Sequence, residues 1–236
     1  PDSSPETKKM YQKYFKEVMS TEPLSRKLGK TDFRLLQEIY SQNEESRPIA
    51  QMADKLHPWA ALVFVGSSFP KEYSAETGAD MLLTNAAAGV NKPRGSLESL
   101  DDVTAIFKAQ PEETMLNFLK ASIKTNKEET EDIKKLHQAY SDGRFEELIP
   151  LLEETEQRTL KLVDAKYAKA MSDWLKNDLL IRRNLAWLPE IRKQSAKQST
   201  LFAVGIAHLP SEKGLIELLR QEGYQVTPEP KVLIWQ

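Results

Sequence analysis

The chain has 236 residues, 40% hydrophobic and 29% charged, enough apolar material for one large domain or two small ones. A formal net charge of −2, with acids and bases interspersed, argues against a nucleic-acid or membrane-surface binder, because both need a concentrated basic face. There is no cysteine, which removes disulfides, thiolate metal sites and cysteine nucleophiles, and no run reaches the roughly 18–20 apolar residues of a membrane span.

The lack of cysteine is compatible with a periplasmic or secreted protein. The opening at Pro1 reads as a processed terminus that carries no signal peptide. Helix signals then dominate. Ser4, Pro5 and Glu6 make a cap, a first-turn proline and an early acid, and the helix to about Met19 carries Met10, Tyr14, Phe15 and Val18 on one face. Thr31-Asp32 starts a second helix with the stripe Phe33, Leu36, Ile39 and Tyr40, and Pro48 opens a third as far as Leu56. The apolar run from Pro58 to Gly66 reads either as a buried helix or as a strand, and helix is favoured because proline suits its first turn and two alanines follow Trp59. A helix is expected over Gly78–Ala88 with Gly89 as its stop, then a short strand within 91–98. Asp101–Lys108, a long helix from Pro111 to Gly143, a short one over Glu146–Leu152, and a helical stretch over Lys161–Lys193 interrupted by Pro189 follow.

The last part reads as sheet. Thr200–Ile206 is predicted as a strand, Ser211–Glu222 as a helix closed by Gly223, Tyr224–Thr227 as a second strand and Lys231–Trp235 as a third. The expected fold class is therefore α/β: mostly helical, with a small sheet and a C-terminal βαβ unit, in a single domain over 1–236.

Three constellations offer chemistry. His208 ends the run Gly205-Ile206-Ala207-His208, at the carboxyl end of the predicted strand, where ligands bind in open α/β sheets. Gly205 there would permit close backbone approach, and a histidine can ligate a metal or shuttle a proton near neutral pH. Arg183 and Asn184 share a helix with Trp187, which is four residues from Arg183 and hence on its face. A guanidinium and an amide together can bind a carboxylate or stabilise an oxyanion. Glu98 and Asp80 are carboxylates that can hold a hard divalent ion or act as a general base, Asp80 sitting at a helix start where capping is the simpler role. HExxH, G-x-S-x-G, Walker and G-x-G-x-x-G patterns are all absent.

The stretch from Leu201 to Pro228 resembles the C-terminal signature of the TraB/GumN family, which includes PrgY-like pheromone-shutdown proteins and the Tiki proteases. Arg183-Asn184-Leu185-Ala186-Trp187 resembles its Arg-Asn-x-x-Trp helix. His57-Pro58-Trp59-Ala60, Gly78-Ala79-Asp80 and Lys92-Pro93 through Leu97-Glu98 resemble further family elements, in the family's order. The resemblance implies a compact α/β fold and a hydrolase, a metal-dependent peptidase in the Tiki members. On that reading His208 and Glu98 are metal ligands for Mn, Co or Zn, and His208, Arg183 and Glu98 are the catalytic set. Asn184 and Asp80 would contact the substrate, a peptide or protein. The family's first Gly-x-x-His and the strand ending in an acid have no counterpart here, which implies that only half of such a site lies in this chain. The alternative is a non-catalytic periplasmic or secreted binding protein that uses the same cleft.

Overall fold

The computed structural model describes residues 5–42, 44–70, 72–74 and 77–228. They group into two compact units, one of 1–94 with 101–172 and one of 95–100 with 173–236.

The first unit is helical. Its elements are α1 (Pro5–Val18), α2 (Leu24–Leu28), α3 (Lys30–Ser41), α4 (Arg47–Met52), α5 (Pro58–Gly66), α6 (Ala79–Gly89), α7 (Leu100–Lys108, of which all but Leu100 belong here), α8 (Glu112–Ser141), α9 (Leu148–Leu160) and α10 (Ala165–Asp173, which ends at the boundary). α5 packs on α8, and α8 on α9 and α3. The core is built by Leu24, Leu36, Ile39 and Tyr40 against Ala60, Ala61, Val65, Met115, Leu119 and Ile123. The α5 run is apolar on all sides because it lies inside this layer, as its composition predicts. Tyr40 is fully buried and its hydroxyl donates to the Ala61 carbonyl at 2.7 Å, so the one polar atom of the ring is satisfied.

α8 and α9 meet through a polar seam. The carboxylate of Asp132 accepts from Arg158 at 2.6 Å, Thr155 at 2.9 Å and Lys135 at 3.0 Å. Burial pushes its pKa upward, and the hydrogen bonds from those three donors outweigh this and hold it below the usual carboxylate range. α8 ends at Ser141, and two residues on Gly143, at φ +69°, turns the chain so that Arg144 returns its N–H to the Ala139 carbonyl at 2.8 Å. Gly89 does not stop α6. That helix includes it, and Asn91, at φ +52°, takes the left-handed position beyond.

The second unit is α11 (Arg182–Ser195), preceded by a π-helical stretch over Trp174–Ile181 and followed by a 3₁₀ turn over Ile206–His208 and α12 (Leu215–Gln221). Trp187, Leu188, Ile191, Leu215 and Leu218 form its core, with Phe202, Val204 and Leu97 packed on it. Pro189 lies inside α11 and does not end it.

The α/β class is overturned: the described residues contain no strand, and the βαβ unit does not form. The sole β pairing among them is one antiparallel bridge, Met19 with Leu56, in the first unit. Thr200–Ile206 does have the alternation of a strand, Phe202, Val204 and Ile206 half-buried and Leu201, Ala203 and Gly205 exposed. Alternation describes one face, whereas a strand needs a neighbour for its backbone, and this segment pairs with none among the described residues. Tyr224–Thr227 is irregular for a local reason. Gly223 at φ +90° turns the chain, and Tyr224 spends its N–H on the Leu219 carbonyl at 3.0 Å to close α12. The short strand expected within 91–98 is turn, coil and bend. The third predicted strand, Lys231–Trp235, lies outside the described residues. α12 also starts later than its sequence suggests: Ser211, at φ +82°, belongs to a tight loop and Gly214 precedes the first turn.

Candidate functional site

Four of the five residues singled out in the sequence meet in the second unit. Glu98 comes from the bend at the end of the 92–99 segment, Arg183 and Asn184 from the first turn of α11, and His208 from the end of the 3₁₀ turn. Asp80 belongs to the first unit, exposed in the first turn of α6, where its charge favours the helix dipole.

Arg183 holds Glu98 in a side-on pair. Its Nε donates to both carboxylate oxygens at 3.2 and 3.0 Å, and Nη2 donates to Oε1 at 2.5 Å. The indole N–H of Trp187 donates to Glu98 Oε2 at 3.2 Å. The two charged side chains are 22% and 19% exposed, so the pair lies at the edge of water. The remaining terminal nitrogen of Arg183, Nη1, donates to the Leu179 carbonyl at 3.1 Å and approaches His208 Nε2 at 3.4 Å. Leu179 lies in the π-helical stretch, a widened helical turn of the kind often found at functional sites.

His208 is only 6% exposed, and its tautomer follows from Asn184. The Asn184 amide nitrogen donates to the carbonyls of His208 at 3.2 Å and Lys213 at 2.8 Å. Its oxygen is therefore left to accept, and His208 Nδ1 lies 2.7 Å from it. The hydrogen-bond network thus assigns the proton to Nδ1 and leaves the lone pair on Nε2 facing Arg183. Trp187 packs against the imidazole, ring centroids 4.5 Å apart, while the Arg183 guanidinium lies 5.0 Å from the indole centroid. Burial first, and the nearby Arg183 charge second, lower the His208 pKa from 6.5 to about 4, against a smaller upward pull from Glu98. The ring is neutral at neutral pH.

Three more residues contribute: sequence reasoning placed Trp187 beside Arg183 without giving it a part in the site, and it missed the other two. Trp187 touches all three charged or titratable groups, and the sole signal for it is its spacing from Arg183. The Leu179 carbonyl depends on a π turn that no residue pattern announced. Gly214 is the third: a Cβ there would fall 1.9 Å from the Pro210 carbonyl, so only glycine lets the loop after His208 close. Gly205, by contrast, needs no such freedom. A Cβ on it would meet only His208 Cδ2 at an ordinary 3.7 Å. An open pocket of about 570 Å³ is lined by Pro210, Ser211, Lys213, Ile216, Glu217 and Arg220 among others, and Glu98, Arg183, Asn184 and His208 are not among its lining residues.

The donor set does not fit a divalent ion. A stable site needs three or more protein ligands. Among the described residues no group of three or more His, Asp or Glu side chains is arranged to hold one. Both Glu98 oxygens are occupied by Arg183 and Trp187, and a guanidinium faces the one free imidazole nitrogen. No described helix is long and apolar enough to cross a membrane.

No curated protein and no solved structure matches the chain. A family model does, over residues 1–228, and it covers every element of the site just described, from Glu98 through Arg183, Asn184 and Trp187 to His208. The chain belongs to the TraB/PrgY/gumN family.

Proposed function

We propose that the chain is a hydrolase of peptide or protein substrates whose reacting groups are His208 and Arg183. The convergence of Glu98, Arg183, Asn184 and His208 from three separate segments, at the edge of water, carries the reading. Each side chain then has one task. Glu98 fixes the guanidinium plane. On substrate binding Arg183 Nη1 gives up its 3.4 Å approach to His208 Nε2 and donates that N–H to the substrate carbonyl oxygen and to the oxyanion that forms from it. His208 Nε2 takes the proton of the attacking water, with Asn184 steadying the imidazolium through Nδ1, and returns it to the leaving amine as the C–N bond breaks. An imidazolium beside a guanidinium is unfavourable, so proton transfer is coupled to negative charge developing between them.

Incubating the purified chain with a peptide library tests this. Turnover is expected, with a loss of about 100-fold or more for His208→Ala. No cleavage in any pool, or equal cleavage by the variant, overturns it. The reading extends to a periplasmic or secreted location, which cell fractionation checks.

One observation favours a second reading, a non-catalytic binding protein. On α6 the side chains of Met81, Leu82 and Leu83 are 42%, 59% and 42% exposed, an apolar surface of the kind that binds partners. Peptide binding without turnover, lost in Leu82→Glu and kept in His208→Ala, would support it over the hydrolase.

A further inference from the structure

Residues that resemble a metal centre in sequence are arranged around a different cation. Glu98 presents its two oxygens, and His208 its one unprotonated nitrogen, to the same guanidinium. Asn184 fixes the imidazole so that Nε2 cannot turn away, and Trp187 closes the other side by donating to Glu98 and packing tilted against the ring. The geometry leaves no room for an ion. Along the 3.4 Å line from Nε2 to Arg183 Nη1, an ion bound about 2.0 Å from Nε2 would stand about 1.4 Å from the arginine nitrogen.

We infer that Arg183 is the resident cation of this centre: its guanidinium occupies the place between Glu98 and His208 that a divalent metal would need, and so keeps metal out. Glu98 is then a positioning residue for Arg183, and the lone pair of His208 is reserved for a proton. The same placement explains why a carboxylate and an imidazole stay close without a third ligand: the positive charge they share is built into α11. The inference takes its functional meaning from the hydrolase reading. Its test uses no substrate, so the two fail separately.

The test follows the ring resonances of His208, one of three histidines in the chain, assigned with His208→Ala. Zn²⁺ and Mn²⁺ are added in turn to the wild-type chain, to Arg183→Ala and to Arg183→Lys. In the wild type no saturable shift or broadening is expected at His208 up to about tenfold excess of metal. Arg183→Ala vacates the position, and Zn²⁺, held by Glu98 and His208 with water completing its shell, then gives a weak but saturable response at His208 that the wild type lacks. Arg183→Lys keeps a cation beside Glu98 and still excludes the metal. A saturable response of wild-type His208 to either metal overturns the inference. So does a folded Arg183→Ala chain whose His208 ignores Zn²⁺. If Arg183→Ala does not fold, the wild-type and lysine arms decide alone, a metal response in either counting against the assignment.

Discussion

Asn184→Ala probes the arrangement at its most constrained point. Asn184 is 2% exposed and makes two hydrogen bonds to backbone carbonyls and one to the imidazole. Truncation leaves the Nδ1–H and the carbonyl of His208 without their buried partner, while the bond to Lys213, an exposed residue, is only partly buried. A buried orphan costs about 1–3 kcal/mol, so the expected loss of stability is about 3 kcal/mol. Urea unfolding followed by tryptophan fluorescence measures it, since Trp174 and Trp187 lie in the same unit. Asn184→Asp separates geometry from packing. It keeps the size of the side chain but loses the amide donors and places a carboxylate against Nδ1–H, so the His208 pKa should rise well above about 4. A loss below about 1 kcal/mol for Asn184→Ala, together with an unmoved His208 titration in Asn184→Asp, would refute the reasoning.

Two further outcomes follow from the same geometry. The folded pKa of His208 is depressed, so the unfolded chain binds the extra proton first as pH falls. The stability contributed by the neutral ring is complete above about pH 6.5 and lost as pH drops toward about 4, at most about 3 kcal/mol. Wild type minus His208→Gln, unfolded in urea across that window, should show this slope, and parallel curves would contradict it. Gly214→Ala must push a Cβ into the Pro210 carbonyl, a backbone atom that cannot rotate away, and should cost about 2 kcal/mol or more in the same assay. A neutral result would mean that the loop is free to open.

Much of the helical scaffold was legible because capping and apolar spacing are local. The α5 run, the start of α8 at Pro111, the turn at Gly143 after its end and the closure of α12 at Gly223 all rest on a few neighbouring residues. Glu98, Arg183, Asn184 and His208 were visible as chemistry-bearing residues, and the helix spacing put Trp187 beside Arg183. What they do to one another was not. That Glu98 faces a guanidinium, and that the imidazole is pinned by an amide, are long-range facts that depend on how α11 meets the 3₁₀ turn. The sheet failed for the opposite reason. The alternation over Thr200–Ile206 is a true property of the segment, but pairing depends on a second chain segment that the pattern does not contain. Ser211 reads as a cap, yet it takes the left-handed region at φ +82° in the loop that Gly214 closes against Pro210, and the helix starts only after Gly214.

The chemistry proposed for this centre rests on an imidazole that is neutral, protonated on Nδ1 and open at Nε2 toward Arg183. A long-range ¹H–¹⁵N spectrum of His208 at pH 7 reads this directly. The account predicts a proton-bearing Nδ1 and an unprotonated Nε2 that persist until the pH falls to about 4. A proton on Nε2, or an imidazolium at neutral pH, would contradict it.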